Sequence, residues 1–150
     1  MTEVRPISVS QFKAFHGVEE MLSRYAEESA IDGMPKFKPD WNAYIAMENV
    51  GVFHLIGVFV EDVIVGFISV MVTVMPHYSV PVAVTESFYV LPEYRKGGNG
   101  VKLLKEAEAY AVSKGAEGML VSAPYSGDLD RYLSNTKRYR QTNAVFFKRL

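Results

Sequence analysis

Apolar residues recur along the chain at two spacings, and the spacing switches where the elements change. Phe12, Phe15, Val18, Met21, Leu22 and Tyr25 stand three or four residues apart, the period of one helical face. Ser8 or Ser10 is placed to cap that helix. Between Ile31 and Asp40 the period is broken by Gly33, Pro35 and Pro39, which predicts a loop. Asp40 then caps a shorter helix with Trp41, Tyr44, Ile45 and Met47 as its apolar members, and Gly51 ends it. From Val52 to Val60 the content turns β-branched and aromatic, a strand. Glu61-Asp62 turns the chain into a returning strand, Val63 to Met75, whose even positions Ile64, Gly66, Ile68, Val70, Val72 and Val74 are expected to share one apolar face. Pro76 to Ser79 turns it again into a third strand, Val82 to Val90, completing an antiparallel meander.

The helical period returns from Val101 to Lys114, with Val101, Leu104, Ala107 and Ala111 on the predicted buried stripe and Gly115 as the stop. Met119 to Ser122 is a short run expected to be a buried strand, and a strand–helix–strand order of this kind gives a right-handed parallel crossover. Asp128 is placed to cap a short helix to about Ser134. Tyr139 to Gln141 and Ala144 to Lys148 are predicted to form a last strand pair turning at Thr142-Asn143. The sum is a mixed α/β (α+β) fold: a mostly antiparallel central sheet with helices on both faces, a three-strand meander followed by a βαβ crossover, and one domain over 1–150.

Composition changes this picture mainly by exclusion. The 150 residues are 49% apolar and 22% charged, with a net charge of −1, so no global field draws the chain to nucleic acid or to a membrane surface. There are no cysteines, which removes disulfides, thiolate metal sites and a cysteine nucleophile, and fits the cytoplasm. The run Met1 to Pro6 lacks a signal peptide's apolar core. The longest apolar run, Val63 to Met75, is interrupted by Gly66, Ser69 and Thr73 and is too short for a membrane span.

The densest chemical signal is Tyr94-Arg95-Lys96-Gly97-Gly98-Asn99-Gly100, where a strand hands over to a helix. The first amides of a helix have no intrahelical partner and carry the positive end of its dipole. Glycine lets that backbone approach a ligand closely, so the segment reads as a phosphate site and points to a phosphate-bearing cofactor. Neither Gly-x-Gly-x-x-Gly nor Gly-x-x-x-x-Gly-Lys-Ser/Thr is present.

Tyr89-Val90-Leu91-Pro92-Glu93-Tyr94 followed by Arg95-x-x-Gly98-x-Gly100, in this order of elements, resembles the GCN5-related N-acetyltransferases, the GNAT superfamily. Gly66-Phe67 and Phe146-Phe147-Lys148-Arg149-Leu150 also look like family positions, and the resemblance covers nearly the whole chain. It implies acetyl-CoA as cofactor, with the amides of Lys96, Gly97, Gly98, Asn99, Gly100 and Val101, beside Arg95, around its pyrophosphate. The backbone of Phe88, Tyr89 and Val90 would pair with the pantetheine arm where two strands splay apart. Asn99 departs from the family pattern, which more often has an apolar residue there. The implied activity is transfer of an acetyl group to a primary amine by direct attack in a ternary complex. The alternatives on the same fold are a non-catalytic acyl-CoA-binding module and a protein-interaction module.

Glu86 is the candidate base. By strand alternation its face-mates are Val84, Phe88 and Val90, an apolar setting in which a carboxylate suits proton abstraction near neutrality. Some members of the family place a glutamate base on this strand. Tyr132 is the candidate acid, in the short helix where the family often has a tyrosine that reaches the CoA sulfur; Asn135 or Thr136 stands where glycine is customary. Tyr125 and Tyr139 compete for that role. His16, His54 and His77 have no partner at metal-ligand spacing, so no metal is expected. The cluster Lys137-Arg138-Tyr139-Arg140 reads as a solvated strand edge. The acceptor, a small-molecule or peptide amine, would meet the segment Ile31 to Pro39 with Trp41 and Tyr44, where few carboxylates stand, Asp32 and Asp40 being nearest. Members of the family are often dimers, and Ala144 to Phe147 is a candidate contact between copies.

Overall fold

The computed structural model describes all residues, 1–150. Its elements are β1 (Thr2–Ile7), α1 (Val9–Ala14), α2 (Val18–Ser29), α3 (Trp41–Asn49), β2 (Phe53–Val60), β3 (Val63–Met75), β4 (Val80–Val90), a 3₁₀ turn (Pro92–Tyr94), α4 (Asn99–Ser113), β5 (Gly118–Leu120) and α5 (Asp128–Asn135). The strands lie in one sheet in sequence order, antiparallel from β1 to β4, with β5 parallel to β4 through the α4 crossover. No helix is long and apolar enough to cross a membrane.

Two apolar clusters cover the two faces of the sheet. One joins Phe12, Met21 and Leu22 of α1 and α2 to Leu55, Phe59 and Phe67, with side chains of α3 against it. The other joins Leu103, Leu104, Ala107 and Ala111 of α4 to Val58, Ile68 and Val70. The α4 stripe thus includes Leu103, which the predicted stripe omitted, while Val101 is only half-buried.

The expected first helix is two. Phe15 turns extended and Gly17 takes φ 83°, a left-handed conformation that breaks the helix. The apolar period survives because Phe12, Phe15, Val18 and Met21 still pack into one cluster. Ser8 is the cap, in a reciprocal capping box with Gln11. Strand β1 was not expected; three polar residues and Pro6 mask it, and it sits at the sheet edge, where proline is tolerated.

Two bulges decide which way key side chains face. On β3, Val58 pairs with Gly66 and Phe59 with Ile64, leaving Val65 as the extra residue. Ile64 therefore joins the α1–α2 cluster while Ile68 and Val70 join the α4 cluster, so the even positions of β3 do not share a face. On β4, Ser69 pairs with Ser87 and Val70 with Thr85, leaving Glu86 as the extra residue.

The C-terminal segment corrects a second expectation. Residues 136–150 form no strand, Val145 and Phe146 are exposed, and β5 is a short, exposed edge rather than a buried strand. Arg138 and the Tyr139 hydroxyl both donate to Glu108, which carries the chain over α4 instead of along β5. The basic cluster is accordingly no strand edge.

At Gly66 the sheet leaves no room for a side chain: a Cβ there would lie 2.8 Å from the Tyr89 carbonyl oxygen and 2.9 Å from Val90 Cγ2. Gly66→Ala is expected to cost about 2 kcal/mol by overpacking, lowering Tm by roughly 6 °C, readable by thermal and urea unfolding.

Candidate active site

The glycine turn is built by backbone constraint. Pro92 opens the 3₁₀ turn after β4, a position suited to its fixed φ. Gly97 and Gly98 then take φ 94° and 81°, values that residues with a Cβ rarely adopt. Gly98 is the N-cap of α4 without a side-chain cap, and the first helical bond runs from Lys102 N–H to its carbonyl. The six amides from Lys96 to Val101 donate to no acceptor in the protein. At the start of a fifteen-residue helix they form a row of donors reinforced by the dipole.

Arg95 braces this turn instead of facing outward. Its Nε donates to the Val90 carbonyl at 2.8 Å, one terminal nitrogen to Asp128 at 2.6 Å and the other to Glu28 at 2.6 Å. The guanidinium also lies 5.3 Å from the Tyr89 ring centroid. Beside Arg95 and then Arg131, the Asp128 carboxyl is held below its ordinary range. Asp128 is the first residue of α5, not its cap; Gly127 is the cap. Asn99 turns inward: it is buried, its Nδ2 donates to the Tyr94 carbonyl at 2.8 Å, and its Oδ1 has no partner.

The edge of β4 next to this turn is unpaired. β5 runs beside Val82 to Val84 only, so from Thr85 to Val90 no strand lies on that side. Ser122 N–H donates to the Thr85 hydroxyl where the two chains part. Phe88, Tyr89 and Val90, expected along a pantetheine arm, stand on this free stretch.

The bulge gives Glu86 a different setting from the expected one. Phe88 and Val90 belong to the α4 cluster, whereas Glu86 lines a pocket on the opposite side with Ser69 and Ser87. Its surroundings are polar and open: the Tyr44 hydroxyl donates to one carboxylate oxygen at 2.6 Å, and the Ser69 and Ser87 hydroxyls donate to the other at 2.8 and 2.9 Å. Burial first, then the bond to Glu86, pushes the Tyr44 hydroxyl pKa up. Burial and the Glu86 charge do the same for Tyr25, so both phenols stay neutral near pH 7. Tyr44, Ser69 and Ser87 were missed as partners. The available signal was Ser69, a polar residue in the apolar run Val63 to Val72, and Ser87 directly beside Glu86.

Tyr132 packs half-buried against the α4 cluster, with Arg138 near its hydroxyl. The structure does not join it to Glu86, whose partners are all on the other face. Tyr125 is 95% exposed. Tyr139 is committed to Glu108, and burial followed by that bond raises its pKa. His54 stacks on Tyr110 with ring centroids 3.7 Å apart, a packed strand residue; burial and then Lys114 lower its pKa.

An unpaired strand edge thus leads into a helix start rich in free amides. Residues 15–127 match the acetyltransferase (GNAT) family, and the chain belongs to it. No curated protein matches it in sequence. Among solved structures, the aminoglycoside acetyltransferase meta-AAC0020, from an uncultured soil metagenomic sample and in complex with trehalose, superposes with TM-score 0.75 at 18% identity, over 99% of this chain and 96% of that one. The ribosomal-protein-alanine N-acetyltransferase of Brucella melitensis biovar Abortus 2308 gives 0.74 at 16% identity, over 100% and 99%. The aminoglycoside N-acetyltransferase AAC(6')-Iy in complex with CoA gives 0.68 at 16% identity, over 100% and 95%.

At Gly100 the backbone is not left-handed, and a Cβ would meet Phe88 at an ordinary 3.9 Å. The fold therefore does not require glycine there. Gly100→Asp is expected to leave the melting temperature of the free protein unchanged or slightly higher, since an acid suits the first helical turn. Coenzyme A at a hundred times its dissociation constant should stabilise the wild type by about 2.7 kcal/mol and the variant not at all, read by thermal melting.

Proposed function

We propose that the protein transfers an acetyl group from acetyl-CoA to a primary amine, with both substrates bound together, in the cytoplasm that its cysteine-free sequence suits. The observation that carries this reading is the row of six unpaired amides at the head of α4, beside the free edge of β4. Membership of the acetyltransferase family and the likeness to a fold solved with CoA support it.

The amides of Lys96, Gly97, Gly98, Asn99, Gly100 and Val101 would hold the pyrophosphate, with Gly97 and Gly98 allowing close approach. Arg95 serves this site by fixing the turn to β4, α2 and α5 rather than by touching phosphate. The free edge at Phe88, Tyr89 and Val90 would bond the pantetheine amides as a short added strand. When bound, acetyl-CoA supplies an activated acyl thioester.

The chain's own residues then have two tasks. Glu86 would bind the incoming ammonium and take its proton, directly or through a water, while Tyr44, Ser69 and Ser87 fix its two oxygens. A base so held is oriented before substrate arrives, which lowers the entropic part of the barrier. Tyr132 would give a proton to the departing sulfur.

Glu86→Gln keeps the shape and most of the hydrogen bonds but cannot accept the proton. It is expected to lower kcat about a hundredfold with the coenzyme A melting shift intact. Tyr132→Phe is expected to lower kcat about tenfold at the low end of acid–base catalysis. Thiol release from acetyl-CoA over a panel of primary amines measures both. Wild-type turnover in both variants would remove Glu86 and Tyr132 from the chemistry, and coenzyme A binding without turnover on any amine would leave a binding module.

A further inference from the structure

Resting on that reading, we propose that the acceptor is an amine carrying a single positive charge on an aromatic or bulky apolar body, and that polycations are excluded. The pocket that ends on Glu86 is walled by Phe12, Tyr25, Phe37, Trp41, Tyr44 and Phe67. They come from α1, α2, α3, β3 and the loop before α3, and they form one continuous aromatic surface. Tyr25 meets Phe37 and Phe67 edge-on at 6.0 and 5.6 Å between centroids, and Trp41 meets Phe12 and Tyr44 at 6.1 Å each. Aromatic faces attract a cation and accept an apolar body equally well.

Charge decides between amines. Glu86 is the only charged residue lining the pocket, and Tyr25 and Tyr44 are held neutral by burial and by Glu86 itself. One carboxylate balances one ammonium. A second ammonium taken into the same walls would lose water without gaining a partner. Charges outside the pocket offer no help. Lys36 and Lys38 flank Phe37 in the sequence, and the Lys13 ammonium lies 5.7 Å from the Trp41 ring. The Asp40 carboxylate accepts from Ala43 N–H as the cap of α3, and the adjoining recess is lined by Lys13 and Glu19, one charge of each sign. Over Ile31 to Asp40 the two lysines balance Asp32 and Asp40, so the loop offers a polycation no net negative charge.

Trp41 is the only tryptophan in the chain, so its emission reports acceptor binding without turnover. Titration with 2-phenylethylamine is expected to give a saturable change, with 2-phenylethanol, which has the same body without the charge, binding about tenfold more weakly. Glu86→Gln should bring the two to within about twofold, because the charge they differ by has lost its partner. Phe37, at 47% exposure on the loop, can be truncated without opening the core. Phe37→Ala should weaken 2-phenylethylamine about fivefold while leaving the melting temperature in place. Spermidine and tobramycin should give no saturable change over the same range. The inference is overturned if either polycation binds as tightly as 2-phenylethylamine, if the alcohol binds as tightly as the amine, or if the folded protein responds to none of them. A parallel melt with coenzyme A separates the two readings. Loss of that shift removes acetyl transfer, whereas a normal shift with a polycation preference removes only the monoamine inference.

Discussion

Backbone amides without acceptors are costly to gather in one place, and this fold gathers six. Gly97 and Gly98 hold left-handed conformations that turn the chain from β4 into α4, and the helix begins before any of the amides from Lys96 to Val101 has found a partner. What keeps the turn in this shape is the Arg95 guanidinium, which spans the Val90 carbonyl, Glu28 of α2 and Asp128 of α5. A planar fork with several donors suits such a three-way junction better than an ammonium would. One side chain thus links the end of β4, a helix from one face of the sheet and the short helix that carries Tyr132.

The second constraint is geometric and lies four residues before the end of β4. The bulge at Glu86 shifts β4 by one residue, so that Glu86 and Ser87 both serve the aromatic pocket while Phe88 and Val90 serve the opposite core. Without the extra residue, Glu86 and Ser87 would point to opposite faces. The bulge therefore puts the carboxylate and two hydroxyls around one point, with Tyr44 of α3 as a third. The same strand continues past the end of β5 as a free edge, so the pocket and that free edge share one continuous backbone.

The meander, the crossover and the glycine turn were legible because each rests on local signals: β-branched runs, Glu61-Asp62 and Pro76 as turns, and three glycines at a strand-to-helix junction. Asp40 as a cap and Gly115 as a stop were legible for the same reason. The misses share a different cause. Strand alternation assumes an unbroken register, and bulges at Val65 and Glu86 depend on how neighbouring strands pair, which no single strand encodes. The split of the first helix at Gly17 was hidden by an apolar period that continues across the break. The C-terminal pair looked like strands in composition, but Glu108, thirty residues earlier, binds Arg138 and Tyr139 and takes the chain elsewhere. The role of Arg95 as a brace likewise depends on Glu28 and Asp128, distant partners that local spacing does not reveal.

The central claim is that the unpaired amides at the head of α4 grip a diphosphate, and amide-resolved NMR tests it most directly. Titrating ¹⁵N-labelled protein with coenzyme A should move the resonances of Gly97, Gly98, Asn99, Gly100 and Val101 furthest, in a single saturable process. Smaller changes are expected along Phe88 to Val90. Saturable changes confined to other parts of the sheet, with the α4 amides unmoved, would contradict the account.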